Sequence, residues 1–389
     1  MKKVLWISGR LPKPLFSGDA LYSAGLLKAL AATNEISLSV VGTRRTDHAV
    51  DDATLGLPGI TCVDVPPSRP SGLRSVLSSL PRDAYNLSTR ELELALVRLL
   101  ERDWDWIVVD HACSAGLLPA VVRGRKRASI CYVAHNAEGK IRPEIASSFG
   151  NPLRRSVMRL DAEKYRRLEQ NILEAAEAVI CITDSDAVYF QQFDKKTYVV
   201  PPVFLGTASP PRVIGSDCPR ALLLLGSFEW VAKQKNLELM IEAVLPGFRQ
   251  NGISLNVVGA VPQTVRDRHA GQSPHLTFHG RVADISGILH TSRGGLVPDL
   301  LGGGFKLKVM DYAFERLPIF GLKAALAGTT TEEQSAMFLE DRLDLLADSI
   351  VANIDNLERL NRNQAKLFEL FSERFGLEPG IRRVREIFL

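Results

Sequence analysis

Gly302 to Gly321 reads GGGFKLKVMDYAFERLPIFG and holds the densest chemistry in the chain. Three glycines lead into an amphipathic run bearing Lys306, Lys308 and Asp311. A glycine turn ahead of a helix lets backbone N–H groups and the positive end of the helix dipole approach an anion closely. Lys308 and Asp311 are three residues apart and so share one helical face, whereas Lys306 falls on another and is expected to be silent. A lysine beside the turn would neutralise a diphosphate, and a carboxylate one turn deeper would accept two vicinal hydroxyls. Diphosphate plus diol describes a nucleotide ribose. The competing reading is a solvated ion pair on a surface helix. The triple glycine and the strand-like LPIFG behind it favour the ligand site.

Four other places carry candidate chemistry. In SGRLPKPLFSGDALYSAGLLKAL, Ser17, Gly18 and Asp19 sit where a helix begins, and Gly18 would let the backbone approach a phosphate. The spacing does not fit the dinucleotide fingerprint G-x-G-x-x-G, and a plain N-cap explains it equally well. In GSFEWVAKQKNLELMIEAV, Ser227 follows a strand's terminal glycine, and Lys233 and Lys235 lie in what reads as a loop before a helix opened by Asn236. Lysines there attract phosphate, although exposed loop lysines are common. His111, in WIVVDHACSAGLL, lies just past the carboxyl end of a strand, the edge where doubly wound sheets bind ligands. His135 and Asn136, in YVAHNAEGK, occupy the same position after the next strand. A single histidine is more often structural than catalytic; two at consecutive strand ends point to a cleft.

The elements that position these residues follow a pattern. Short runs apolar at nearly every position (KVLWIS, ISLSVVG, ITCVDV, WIVVDH, ASICYVAH, AVICIT, TYVV) suit strands buried on both faces of a parallel sheet. Segments with helical spacing lie between them, from Ala20 to Ala32 and from Leu92 to Asp103. After the proline-, glycine- and serine-rich stretch from Pro201 to Pro219 the alternation restarts with ALLLLGS, ISLNVVG, LTFHG, GGLVPDL and PIFG. Two α/β domains are therefore expected, 1–203 and 204–375, with residues 376–389 forming a helix that returns to the first. A chain of 389 residues is also longer than one core usually organises.

Composition excludes several classes. A formal charge of +4 is too small to suggest nucleic-acid binding. Five scattered cysteines without a C-x-x-C fit reduced thiols better than a disulfide framework or a zinc site. No run of about 18 apolar residues offers a membrane span, and VLWI is too short for a signal peptide. A cytoplasmic protein is expected. Arg123 to Arg127 (RGRKR) and the arginines at 154, 155, 159, 166 and 167 suggest a basic surface for anionic lipid. Asp161, Glu163 and Glu169, interleaved with them, support a solvated helix instead.

With these residues in place, the chain resembles retaining glycosyltransferases of the GT-B fold, similar to the large bacterial family 4, including members that build cell-surface polysaccharides. The resemblance is architectural over nearly the whole length and rests on four short motifs. It implies two Rossmann-like domains facing each other across a cleft, the first for the acceptor and the second for a UDP- or GDP-sugar donor. It implies that Gly302, Gly303 and Gly304 face the donor sugar and phosphates, that Lys308 holds the diphosphate and that Asp311 binds the ribose. The family often carries two glutamates eight apart; here Gly303 and Asp311 stand at those positions. Lys235, with Lys233 as its rival, matches the lysine of the phosphate loop, where Ser227 stands in place of an arginine. The first-domain glycine loop corresponds to Ser17–Gly18 and the cleft histidine to His111, which would orient donor and acceptor. His135 and Asn136 would line the same cleft. The implied reaction moves a sugar with retention to a glycan, lipid-linked or other acceptor, with no cofactor and no metal. The D-x-D sequences at Asp103 and Asp184 lie in the other domain. A nucleotide-sugar epimerase and an inactive nucleotide-sugar-binding scaffold are the rival readings.

Overall fold

The computed structural model describes residues 1–13, 15, 17–44, 60–67, 72–147, 149–229, 231–272, 274–282, 284–300 and 305–389. The chain divides into two units, Met1–Leu205 with Leu377–Leu389, and Gly206–Gly376.

In the first unit the elements run β1 (Lys2–Arg10), α1 (Gly18–Ala32), β2 (Ile36–Thr43), β3 (Ile60–Val65), α2 (Gly72–Leu77), α3 (Arg82–Leu87) and α4 (Arg90–Leu100). They continue through β4 (Trp106–Asp110), α5 (Leu118–Gly124), β5 (Ser129–Ala134), α6 (Glu138–Ser147), α7 (Pro152–Ala175), β6 (Ala178–Cys181), α8 (Asp184–Gln191) and β7 (Lys196–Val199). The seven strands form one parallel sheet in the order β3-β2-β1-β4-β5-β6-β7. Alternate residues of β1 serve opposite faces: Leu5 and Ile7 join Val109, Tyr132 and Tyr165 in one core, while Val4 and Trp6 join Val108, Cys131 and Leu27 in the other. That two-sided burial is why the strands read as continuous apolar runs. The C-terminal helix Leu377–Phe388 completes the second of these cores with Val384, Ile387 and Phe388. Its Gly380 lies so close to Val203 that a Cβ would stand 2.6 Å from a valine methyl.

The second unit runs β8 (Ala221–Leu225), α9 (Val231–Gln250), β9 (Ser254–Val258), α10 (Gln263–Arg268), β10 (Leu276–Gly280), α11 (Ser286–His290) and β11 (Gly294–Val297). It continues through α12 (Lys308–Phe314), β12 (Ile319–Leu322), α13 (Thr331–Ser335), β13 (Phe338–Glu340), α14 (Leu343–Asn353) and α15 (Leu357–Phe375). Its six strands are parallel in the order β10-β9-β8-β11-β12-β13. β13 is a strand that the apolar runs do not reveal, since FLE is only three residues long. Both sheets are doubly wound α/β sheets whose strand order reverses direction next to the first strand, between β1 and β4 and between β8 and β11. Ligands of such sheets bind outside the strand carboxyl ends at that reversal.

Two local expectations need correction. α9 starts at Val231, so Lys233 and Lys235 stand on its first turns, both exposed, and not in a loop. α12 starts at Lys308, so Lys306 precedes the helix and does not occupy a separate helical face.

Candidate functional site

In the first unit, parallel register sets Ser8 of β1 beside Asp110 of β4. Asp110 is 1% exposed, and every element around it supplies a donor. Its Oδ2 accepts from Trp6 Nε1 (3.1 Å), Ser8 Oγ (3.2 Å) and Ser23 Oγ (2.7 Å), and its Oδ1 lies 2.8 Å from His135 Nε2. Burial alone would raise this carboxyl, but the charge and hydrogen bond of His135, with those of Ser23 and Trp6, hold it below its ordinary range. His135 is therefore an internal partner of Asp110 at the wall of the site.

His111, the next residue, takes the left-handed φ of 67°. For a residue with a side chain this conformation costs on the order of 1–3 kcal/mol, and surrounding contacts must impose it. His111 N–H bonds back to Val133, and its Nδ1 accepts from Cys113 N–H (3.1 Å), which leaves Nε2 facing Glu138 Oε1 at 3.7 Å. Burial pulls its pKa down, but Cys113 and Glu138 outweigh it and hold the imidazole above its usual value. Glu138 also receives Arg142 Nε at 2.5 Å, and the guanidinium lies 4.0 Å over the Tyr165 ring. Behind them Glu169 accepts from Glu138 N–H, Gly139 N–H and Tyr189 O–H, while burial lifts its carboxyl to about 7.

A pocket of about 180 Å³ opens on this network, with Gly9, Arg10, Asp19, Asp83, His111 and Arg142 in its walls. Gly18 opens α1 directly before Asp19, and Ser17 is its N-cap without a side-chain capping bond. The half-buried Asn136 does not line this pocket.

In the second unit, Tyr312 ties α12 to the strand reversal. Its hydroxyl accepts from Leu225 N–H (2.8 Å) and bonds the carbonyls of Leu223 (3.1 Å) and Leu296 (3.3 Å). The ring fills the space over Gly295, where a Cβ would stand 2.6 Å from it, so only glycine lets α12 seat this close. The seating puts Lys308 Nζ 2.5 Å from Asp299, two residues past β11, with both side chains 14% exposed. Burial lowers the Lys308 pKa, Asp299 opposes that, and Lys233 lowers it further. Lys306 has the same neighbours: burial lowers it first, Asp299 raises it, and Lys308 and Lys233 lower it again. Lys308 thus pairs with Asp299 directly, and Lys306 feels the charges of both together with that of Lys233. Lys235 exerts no such influence on Lys308 or Lys306.

One turn along, Asp311 is driven to about 7 by burial and by Glu315, and no described residue donates a hydrogen bond to its carboxyl. Ser227 Oγ donates to Glu229 Oε2 (3.0 Å), which also pairs with Arg281. Gly302, Gly303 and Gly304 lie outside the described residues. Among the described residues no group of three or more histidines, cysteines or acids could hold a metal, and no helix is long and apolar enough to cross a membrane.

Reading by residue type did not single out Asp110, Glu138, Arg142, Asp299 or Tyr312. Asp110 and Asp299 both stand at the ends of recognised strand runs, and strand-end position is the signal that would have found them.

Residues 219–356 match the family described as Glycosyl transferases group 1. No curated protein matches the sequence. Among solved structures, Anabaena Alr3699/HepE in complex with UDP and glucose is similar, with a TM-score of 0.69, 16% identity and 99% of each chain covered. The catalytic domain of starch synthase IV from Arabidopsis thaliana, bound to ADP and acarbose, gives a TM-score of 0.66 at 13% identity over 100% of this chain and 98% of that one. S. aureus TarM gives 0.57 at 13% identity over 77% of this chain and 58% of its own. At such identities the likeness is one of fold. Each unit carries a doubly wound sheet of the kind found in the GT-B fold, and residues 219–356 are similar in sequence to the Glycosyl transferases group 1 family.

Proposed function

We propose that the protein is a retaining glycosyltransferase that moves a sugar from a nucleoside-diphosphate sugar to an acceptor hydroxyl. The observation that carries this reading is the Lys308–Asp299 ion pair at the end of β11, with Lys306 and the exposed Lys233 adding positive charge around it. Positive charge gathered beside a strand end and the start of α12 suits a ligand with negative charge, and a diphosphate is one. Asp311, one turn along α12 with a carboxyl free to accept, suits the two hydroxyls of a ribose. That HepE is in complex with UDP and glucose, and starch synthase IV is bound to ADP, supports a nucleotide sugar, UDP- or GDP-linked, as the donor here.

In the reaction the C1–O bond to the diphosphate breaks and a C1–O bond to the acceptor oxygen forms on the same face. The acceptor's proton passes to a diphosphate oxygen, so no separate base is required. Lys308 and Lys306 stabilise the charge that grows on the leaving diphosphate, the term that dominates such reactions. Lys233 completes the cluster from α9. The lysines supply the charge that a metal supplies elsewhere, and the reading includes neither metal nor cofactor. His111 and Arg142, in the first-unit pocket, orient a polyhydroxyl acceptor, either a glycan or a lipid-linked sugar of the kind used to build surface polysaccharides.

Incubation with UDP-, GDP- and ADP-sugars, with and without hydroxyl acceptors, tests this. The expected result is a new glycoside with retained anomeric configuration in the presence of a chelator. An epimerised donor, or a donor that binds and returns unchanged, overturns it.

A further inference from the structure

The first half of α7 is exposed almost all round. Leu153, Val157 and Leu160 are 75%, 43% and 49% exposed. At about 100° per residue these three positions fall within about 60° of one another, forming an apolar stripe that no element of the described residues covers. Arg154 and Arg159, both exposed, stand roughly 100° to either side of it. Neither has a carboxylate partner among the described residues.

The end of α2 lies beside the same helix. Lys164 Nζ donates to the carbonyls of Ser75 (3.2 Å) and Val76 (2.8 Å), which fixes Val76 (42% exposed) and Leu77 (83%) next to α7. Of the two acids flanking the stripe, Asp161 accepts from the backbone N–H of Arg82 at 2.8 Å and Glu163 pairs with Arg166 and Arg167.

Most cations of the other basic segments have acidic partners. Arg123 pairs with Glu93, Arg125 with Glu177 and Lys126 with Asp103, while Arg166 and Arg167 share Glu163. The basic surface expected from RGRKR is therefore largely paired, Arg127 apart, and Arg154 and Arg159 bring charge beside the apolar stripe on α7.

We propose that the Leu153–Val157–Leu160 face of α7, extended by Val76 and Leu77, seats this unit on an anionic lipid surface. Long apolar side chains flanked by arginines match an interface of acyl chains edged by negative headgroups. The inference does not depend on the catalytic reading, and its test measures no catalysis.

Sedimentation with phosphatidylcholine vesicles, with and without phosphatidylglycerol, at low and high salt, is the experiment. Binding is expected only with phosphatidylglycerol and should weaken with salt. The triple variant Leu153→Ser, Val157→Ser, Leu160→Ser should lose about tenfold or more in vesicle affinity. Arg154→Gln and Arg159→Gln should each cost about fivefold at low salt. Arg123→Gln with Arg125→Gln should change nothing. These side chains are exposed, except Arg125, which is half-buried, and unchanged thermal melts confirm that the variants fold. Absence of binding, equal binding to neutral vesicles, or stripe variants that bind like the parent protein would each overturn the proposal. So would self-association that depends on the stripe without vesicle binding, which would give the face to a second copy of the chain.

Discussion

The two strand reversals have the same topology and opposite electrostatics. At β1/β4 the buried acids are answered from within: Asp110 has four partners, Glu138 has His111 and Arg142, and Glu169 has two backbone N–H groups and tyrosine hydroxyls. At β8/β11 Lys308 pairs with Asp299 while Lys306 and Lys233 add positive charge to the surroundings, and Asp311 has no donor among the described residues. A balanced site has nothing to gain from a charged ligand and suits a neutral, hydroxyl-rich one. An unbalanced site is completed by its ligand. On the function proposed above, the two halves of one fold would take two kinds of molecule by this difference in charge.

The sharpest way to break this comparison is to unbalance the first site. Asp110→Ala strands four donors in a buried place and should cost about 3–5 kcal/mol of stability, read by denaturant unfolding. A loss under 1 kcal/mol would show that the network is not what holds β1, α1 and β5 together.

In the second site the equivalent loss should appear in catalysis, with folding little changed. Lys308→Ala should lower kcat about 10²- to 10³-fold, because the charge it faces grows as the sugar leaves. It also releases Asp299 from its ion pair, so Lys308→Ala with Asp299→Asn should recover part of the donor affinity.

Asp311 gives a pH signature. Its raised carboxyl must ionise to accept ribose hydroxyls, so nucleotide affinity should rise with pH through about 7. Between pH 8 and pH 6 the parent protein should lose about tenfold more affinity than Asp311→Asn, in which this group cannot titrate. Calorimetric titration of nucleoside diphosphate over that range gives the difference. Parallel profiles would remove Asp311 from the ribose.

The smallest contrast is between lysines. Lys306→Ala should weaken nucleotide binding about tenfold and Lys235→Ala hardly at all, since only Lys306 shares Asp299. The reverse ranking would move the diphosphate towards the exposed turn of α9.

Most of the fold could be read from the chain because strands buried on both faces leave runs such as KVLWIS and ALLLLGS, whose signal is local. β13 could not, being too short to show periodicity. The cation cluster was half legible: Lys308 announced itself through the glycine turn. The share of Lys306 in it depends on where α12 begins, and that is set by Tyr312 locking onto three strand-end backbone groups. Asp299 becomes a site residue only because β11 ends beside that helix. RGRKR looked like a docking patch because its neutralising acids, Glu93, Asp103 and Glu177, are distant in sequence. Pairings of this kind have no periodicity to betray them.

The helix Leu377–Phe388 fixes an order of events during synthesis. It closes the core against Val4, Trp6 and Leu27, yet it emerges from the ribosome only after all of Gly206–Gly376. At about 5–20 residues per second, the first unit must wait roughly 10–30 s with one side of its sheet unsealed. Through that interval the nascent chain offers an apolar face to chaperones, while the second unit can already fold.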